Sequence, residues 1–429
     1  MQYYSTNQSA PKVNFKEAVI KGLAPDKGLY FPENIQQIPD GMLGKGKDLV
    51  EICQAYVQQF VGDEISQTDL KQIIKETIDF PLPIVEVEPN IYSLELWHGP
   101  TCAFKDVGAR FLARCLSYFV KQKGEKVTIL VATSGDTGSA VANGFYGVPG
   151  IDVVILYPKG KVSKIQEQQL TTIGNNVRAL EINGTFDDCQ RMVKEAFNDE
   201  ELNQKMNLSS ANSINVARFL PQAFYYFAAY EQLKDKDKDV VFAVPSGNFG
   251  NITAGMFAKK TGLPISKFIA GTNANDIVPQ YLKSGIYKAK PSVSTISNAM
   301  DIGDPSNFPR IVELNGGTFE GVKAELVGYA FTDDETKTVM KEVVDRTGYV
   351  LEPHGAIAYL ALKEYMKDHD CQGILLETAH PAKFHDVVEP VIGQKVEIPQ
   401  RLQDYLSRKK EALLLNPEFK ALKEYLLGR

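Results

Sequence analysis

The sequence contains no GxxxxGK[ST] and no GxGxxG, which argues against a P-loop nucleotidase and against a dinucleotide fold of the usual kind. GxSxG and HExxH are absent as well, so a serine or metal hydrolase has little to stand on. Cysteine is scarce. Cys53, Cys102, Cys115, Cys189 and Cys371 are scattered without a CxxC pair, which suggests neither a disulfide framework nor a cysteine metal site, and a reducing cytoplasm is the expected compartment. The five histidines form no recognisable ligand set, so no metal is expected, and His380 and His385 read as structural. No apolar run is long enough to cross a bilayer, and the start, MQYYSTNQSAPKVNF, lacks the apolar core of a secretory signal. The net charge of -6, from 47 basic and 53 acidic residues, argues against a general nucleic-acid binder and leaves any anion site to local placement.

What is present is a chain of 429 residues, 44% of them hydrophobic, long enough for two or three domains and able to fill a substantial core. Its middle reads repeatedly as an apolar strand, a Gly- or polar-rich turn and a helix. VTILVA (127–132) meets TSGDTG, IDVVILYP (151–158) and NVRALEI (176–182) are further buried strands, DVVFAV (239–244) runs into PSGNFGN, and GILLET (373–378) runs into AHPAKF. This alternation predicts an α/β fold with largely parallel sheets covered by helices. The first eighty or so residues read as a separate, mostly helical cap. KDKDKD (234–239) reads as a solvated linker, and residues 400–429 as surface helices. The expected division is a cap over 1–94, a segment over 95–235 that carries a lysine and substrate loops, and a segment over 236–429 that carries a phosphate loop and C-terminal helices.

Within HGPTCAFKDVGAR (98–110), Lys105 stands where an amphipathic helix begins. Phe111, Leu112, Cys115, Leu116 and Phe119 recur on one helical face, and Lys121, Lys123 and Gly124 form a stop signal. The positive end of the helix dipole and any loss of water both disfavour an ammonium ion there, which makes Lys105 a candidate nucleophile. Lowering a lysine from about 10.4 to near 7 or 8 takes roughly 3 to 5 kcal/mol, whereas a helix terminus gives only ~0.3 to 1. Exclusion of water must therefore dominate, and a closed, dry site between two domains is predicted.

Ligands of open α/β sheets bind where strand ends meet helix N-termini. PSGNFGN (245–251) combines glycines with Asn248 and Asn251 ahead of a helix and reads as a phosphate cradle, or as a glycine-rich helix start without a ligand. TSGDTG (133–138) offers Ser134, Thr137 and backbone donors to a carboxylate or a phosphate, or simply caps its helix. Asp136 would repel an anion there unless its side chain points away or meets a donor. In SSANSINVARFLPQ (209–222), Pro221 sets a helix start close by, and Asn212, Ser213, Asn215 and Arg218 crowd that start. Arg218 offers a fork to phosphate oxygens or pairs with a surface carboxylate. Thr378 ends the last strand next to His380, where a hydroxyl can donate to or accept from a ring nitrogen. A lysine nucleophile beside two anion cradles suits pyridoxal phosphate, the cofactor that uses a lysine imine, a phosphate anchor and a ring-nitrogen partner together.

At this point the residues resemble the threonine synthase family, in the tryptophan-synthase-like (fold type II) group of pyridoxal phosphate enzymes. The similarity runs through APDKGLYFPE (24–33), HGPTCAFKD, ATSGDTGSA, NSINVARFLPQ, VPSGNFGN, EPHGAIAY (352–359) and ETAHPAKF, seven motifs in family order. The resemblance implies two open, mostly parallel sheets covered by helices, with the N-terminal cap added. It implies that Lys105 holds the cofactor, that Gly247, Asn248, Phe249, Gly250 and Asn251 surround its phosphate, and that Thr378 partners the pyridine nitrogen, which a neutral hydroxyl leaves unprotonated more readily than a carboxylate would. It also implies that Ser134, Gly135, Asp136 and Thr137 receive the substrate carboxylate, and that Asn212, Ser213 and Arg218 receive the substrate phosphate. Many relatives carry Asn where this chain has Asp136. The implied reaction converts O-phospho-L-homoserine and water to L-threonine and phosphate by γ-elimination and β-addition of water, the last step of threonine biosynthesis. The implied partner is that small-molecule substrate, with no nucleic acid and no membrane, and the chain is expected as a monomer or homodimer. A threonine or serine dehydratase, or a phospholyase on the same substrate, is the nearest rival, and a dehydratase has no need of a second phosphate site. A ligand-sensing relative without chemistry is expected to have lost the lysine, which is retained here.

Overall fold

The computed structural model describes every residue except Lys45, Gly124, Glu125 and Arg429; Gly124, expected as part of a helix stop, lies outside the described residues. Two sheets dominate. The larger has six strands in the order Leu326–Ala330, Lys267–Thr272, Val240–Pro245, Gln372–Glu377, Ile91–Glu95 and Ile84–Glu88. All pair in parallel except the last, which runs antiparallel to its neighbour. The smaller has five parallel strands in the order Leu413–Leu415, Val177–Ile182, Ile151–Pro158, Val127–Ala132 and Leu208–Ser209. The central strands read VTILVA and QGILLE and are buried at every position. Continuous apolar runs are what a strand needs when helices cover both its faces.

The first residues are less helical than the sequence suggests. Val13–Asn14, Gln2–Ser5 and Tyr30–Pro32 form a small antiparallel sheet, beside helices Phe15–Lys21, Leu49–Val61 and Gln67–Thr77. Two pairings run across the expected segment boundaries. The hairpin Ile84–Glu95 joins the sheet of the 236–429 segment, and Leu413–Leu415 joins the sheet of the 95–235 segment. Helices Gln400–Leu406 and Phe419–Leu427 flank that last strand. Among the described residues no helix is long and apolar enough to cross a membrane.

Helix Lys105–Lys123 begins where the two sheets meet. Phe104 N donates to Thr378 O at 2.8 Å, which ties its first turn to the end of strand Gln372–Glu377. Close approaches fix it elsewhere: a Cβ on Gly144 would lie 3.2 Å from Ala109 Cβ, and one on Gly108 would lie 2.5 Å from Arg218 O. Helix Gly250–Lys260 is set on its sheet in the same way, because a Cβ on Gly255 would stand 2.5 Å from the Tyr226 ring and 2.7 Å from Phe268. Tyr226 is fully buried and donates its hydroxyl to Asn251 Oδ1 at 2.8 Å. Gly255→Ala is therefore expected to lower stability by about 1–3 kcal/mol, the usual effect of one extra methyl in a filled core. Thermal unfolding of the purified protein checks this, and an unchanged midpoint would contradict the close packing of this helix.

Candidate active site

A cavity of about 570 Å³ opens between the two sheets. Residues from both halves line it: Lys105, Ser134, Thr137, Asn212, Ser213 and Arg218 from one side, and Gly247, Asn248, Phe249, Gly250, Asn251 and Thr378 from the other. Of the residues singled out from sequence, Gly135, Asp136 and Asn215 do not line it; Asn215 Nδ2 donates to Val19 O at 2.8 Å instead. Gly135 has φ +142° and is roofed by Gln166, whose amide carbon would lie 2.5 Å from a Cβ there.

Lys105 is half-buried by surface because its side chain opens on the cavity, while protein surrounds it elsewhere. Burial pushes its ammonium pKa down. Arg218 and Lys383 add to that, and Asp136 and Glu352 oppose it. The dominant cause is desolvation, as the arithmetic of the helix dipole required.

Asp136 turns its carboxylate away from the loop and onto Lys383, with Lys383 Nζ 2.6 Å from Oδ1. Gln166 Nε2 donates to the same oxygen at 2.9 Å. Burial alone would raise the Asp136 pKa, but the charges of Lys383 and Lys105 outweigh it and hold the carboxyl well below the usual range. The repulsion expected between Asp136 and an anion in the loop is thus met by a fully buried cation. Lys383 also donates to Thr101 O at 3.0 Å. Thr133 Oγ1 accepts from Gly135 N at 3.0 Å and Gly138 N at 2.8 Å, so the TSGDTG turn is braced from inside.

The PSGNFGN turn holds Phe249 at φ 59°, ψ 14°, a left-handed conformation unusual for a side chain of that size. Asn248 Oδ1 accepts from Ser306 Oγ at 2.9 Å. Asn251 uses its oxygen on Tyr226, and its Nδ2 is buried without a hydrogen-bond partner among the described residues. Arg218 Nη1 is in the same condition. Arg218 is 3% exposed, and among the described residues no carboxylate pairs with it. Burial lowers its pKa to about 10, with Tyr225 and Asp106 opposing the fall, so it remains a cation at neutral pH.

Four contributors were not legible as site residues from sequence: Lys383, Gln166, Arg310 and Glu352. Arg310 is fully buried and donates only to uncharged oxygens: Asn307 Oδ1 at 2.7 Å, Ile214 O at 2.6 Å, Ser213 O at 3.4 Å and Tyr30 O at 3.1 Å. Its guanidinium lies 4.2 Å from the centroid of Phe219, and burial takes its pKa down to about 9. Since Asn307 donates to Ser213 Oγ at 3.1 Å and to Asn248 O at 3.1 Å, Arg310 and Asn307 clamp the Asn212–Arg218 loop to the PSGNFGN turn. Lys383 and Glu352 do lie inside motifs that stand out in the sequence, ETAHPAKF and EPHGAIAY, but their spelling gives them no role.

A desolvated lysine at a helix start, an unspent amide at the N-terminus of an 11-residue helix and a buried hydroxyl across the cavity fit pyridoxal phosphate. Together with two open, mostly parallel sheets, they define a pyridoxal-phosphate-dependent enzyme of fold type II. Residues 73–374 match the family model described as pyridoxal-phosphate dependent enzyme, residues 2–78 the threonine synthase N terminus, and residues 355–426 the threonine synthase C-terminal model. The threonine synthase of Haemophilus influenzae is 47% identical over 100% of both chains. Among solved structures, pyridoxal-phosphate-bound threonine synthase from Brucella melitensis is 39% identical, with a TM-score of 0.93 over 99% of this chain and 98% of the other. That from Escherichia coli is 42% identical, with a TM-score of 0.92 over 100% of both. The chain belongs to the threonine synthase family, whose members are pyridoxal-phosphate-dependent lyases.

Replacing Lys383 with Met leaves the Asp136 charge buried without its ion-pair partner, and Lys383→Met is expected to destabilise the protein by roughly 3–5 kcal/mol at pH 7. Because the Asp136 pKa is lowered in the folded state, its contribution is complete above the ordinary carboxylate range and fades as the pH falls through it. The gap between wild type and Lys383→Met should therefore narrow below about pH 4. Adding Asp136→Asn should recover part of the loss at pH 7. Denaturant unfolding across pH measures all three proteins, and a pH-independent gap would contradict an ionised Asp136.

Proposed function

We propose that the chain converts O-phospho-L-homoserine and water to L-threonine and phosphate, with each residue in the role its position supports. When bound, pyridoxal phosphate supplies an aldehyde that condenses with amines and a conjugated ring that accepts electrons from the carbons nearby. Lys105 would hold it covalently. Gly247, Asn248, Phe249, Gly250 and Asn251 would hold its phosphate at the start of helix Gly250–Lys260, where the first N–H groups have no partner within the helix. Thr378 would face its ring nitrogen.

Ser134 and Thr137 would receive the substrate carboxylate, while Gly135, whose N–H is spent on Thr133 Oγ1, and Asp136, which stays on Lys383, brace the turn. The Nζ of Lys105, once free of the cofactor, takes the proton from the α carbon and then one from the β carbon. Burial depresses its pKa, which favours the free amine that accepts each proton. Arg218, with Asn212 and Ser213, binds the γ-phosphate, stabilises it as it leaves, and holds it while water adds at the β carbon. The surrounding protein keeps bulk water from Lys105, which limits loss of protons to solvent. Five buried thiols support a reducing compartment, the cytoplasm.

The observation that carries this reading is the second buried cation. Arg218 lines the cavity, and among the described residues its Nη1 has no partner and no carboxylate pairs with it. A dehydratase would not need it. Arg218→Ala should cut kcat/KM for O-phospho-L-homoserine roughly 10- to 150-fold, the equivalent of one charged hydrogen bond of about 1.5–3 kcal/mol. Quantifying threonine and phosphate in the same assay checks the products, and equal turnover by the variant would return the case to a dehydratase. Lys105→Ala should lose both turnover and the visible absorbance of lysine-bound cofactor. Retention of that absorbance would assign the covalent link to another amine.

A further inference from the structure

Asn307 breaks a local rule. It stands at the N-cap of helix Phe308–Leu314, where an asparagine usually turns its side-chain oxygen onto an N–H of the first turn, and it makes no such bond. The residue is fully buried, and its side chain is spent elsewhere at both ends. Arg310 Nη1 donates to Asn307 Oδ1 at 2.7 Å, and Asn307 Nδ2 donates to Ser213 Oγ at 3.1 Å. Arginine has no acceptor, so it can face only the oxygen of the amide. Arg310 therefore decides which end of Asn307 meets Ser213, and that end is a donor.

The consequence falls on Ser213. A hydroxyl that accepts on one side keeps its proton for another neighbour. Ser213 lines the cavity, and among the described residues no acceptor takes that proton. The contact lies against the start of helix Gly250–Lys260, since a Cβ on Gly250 would stand 3.3 Å from Asn307 Nδ2 and 3.4 Å from Ser213 Cβ. Ser306 treats Asn248 in the same way. Its N and Oγ approach Asn248 Oδ1 at 3.3 and 2.9 Å, and because a backbone N–H can only donate, the NH₂ end of Asn248 is the one left for the cavity it lines. Two adjacent residues thus occupy the acceptors of two cavity side chains and leave their donors, which is what an anion requires.

We propose that Asn307 is a positioning residue for the substrate phosphate: it occupies the acceptor side of the Ser213 hydroxyl and so turns that proton to the γ-phosphate, with Arg310 fixing the orientation of the Asn307 amide. This rests on the reading that Asn212, Ser213 and Arg218 receive that phosphate. A serine free to rotate offers either a proton or a lone pair, and a lone pair repels phosphate oxygens. Fixing the proton before the substrate arrives removes that choice and lowers what binding must reorganise.

The test measures, on holoenzyme, the Kd of inorganic phosphate by titration calorimetry and kcat/KM for O-phospho-L-homoserine, and the absorbance of lysine-bound cofactor reports that each variant is folded and loaded. Ser213→Ala should raise the Kd and lower kcat/KM, each roughly 10-fold or more, the loss of one hydrogen bond to a charged group. Asn307→Asp keeps the shape and the bond to Arg310 but offers Ser213 an acceptor, so the hydroxyl proton turns inward and the loss should be at least as large. In the Ser213→Ala background Asn307→Asp should add little, so the double variant falls well short of the product of the single effects. Arg310→Lys, which keeps the charge and loses the fork, should act in the same direction by less, and it carries the comparison where Asn307→Asp does not load cofactor. Wild-type values in Asn307→Asp, or single effects that multiply in the double variant, overturn the role of Asn307 and leave the phosphate site standing. Values unmoved by Ser213→Ala mean that Ser213 does not face the phosphate, and both readings of this serine fall.

Discussion

Removal of water from one amine is the constraint on which the rest of the site depends. Lys105 must begin a helix, line a cavity and still be dry, and neither sheet can achieve this alone. The smaller sheet supplies the TSGDTG turn and the floor of helix Lys105–Lys123, and the larger sheet closes the opposite side through the Phe104–Thr378 hydrogen bond and the PSGNFGN turn. The cavity is a consequence of how the two sheets meet. The charges around the amine follow from the same requirement: burial lowers its pKa, and Asp136 limits the fall. Asp136 in turn is tolerable only because Lys383, itself without exposure, neutralises it at 2.6 Å.

Cations dominate what remains. Arg218 and Arg310 are both buried guanidinium groups with no carboxylate on them among the described residues, and both remain charged at neutral pH despite the lowering that burial imposes. An uncompensated buried charge is costly, so its persistence calls for a partner of opposite sign or a set of oriented dipoles. Arg310 has the dipoles, carbonyls from three chain segments, and spends its bonds on tying those segments together. Arg218 lines the cavity and keeps a buried Nη1 without a partner among the described residues. In the proposed reading the two arginines divide the work: one fixes the geometry of an anion site and the other would contact the anion. A fork of five donors is suited to both tasks, and a lysine would serve the first poorly because it cannot reach several carbonyls in one plane.

How much of this was legible in the sequence depended on how local the chemistry is. The strands at 127–132 and 151–158 read correctly because their apolar runs are uninterrupted, and the turns after three of the five strands announce themselves through Gly, Ser, Thr and Asn at strand ends. The segment before Trp97 read as a mostly helical cap because IVEVE and IYSLE alternate weakly, and their hairpin joins the sheet only through a strand nearly 300 residues away. Leu413–Leu415 was hidden in a helical-looking tail, since three leucines carry no period. The Asp136 question could be posed from sequence but not answered there, because its partner lies 247 positions downstream. Arg310 gave no signal at all. A lone arginine in a plain helix looks like surface until the fold closes around it.

Preorganisation has a backbone cost at the PSGNFGN turn. Phe249 sits in the left-handed region, which costs an L-residue roughly 1–2 kcal/mol, and glycine would avoid the strain. The side chain offsets it. Phe249 is 3% exposed and packs edge-on against Phe308 at 6.3 Å, and burying such a ring contributes about 1.5–3 kcal/mol. The two terms nearly cancel, so the hydrophobic anchor offsets the strain of the turn. In the proposed reading the N-terminus of helix Gly250–Lys260 is then already in place for a phosphate, and little reorganisation is left for binding to oppose.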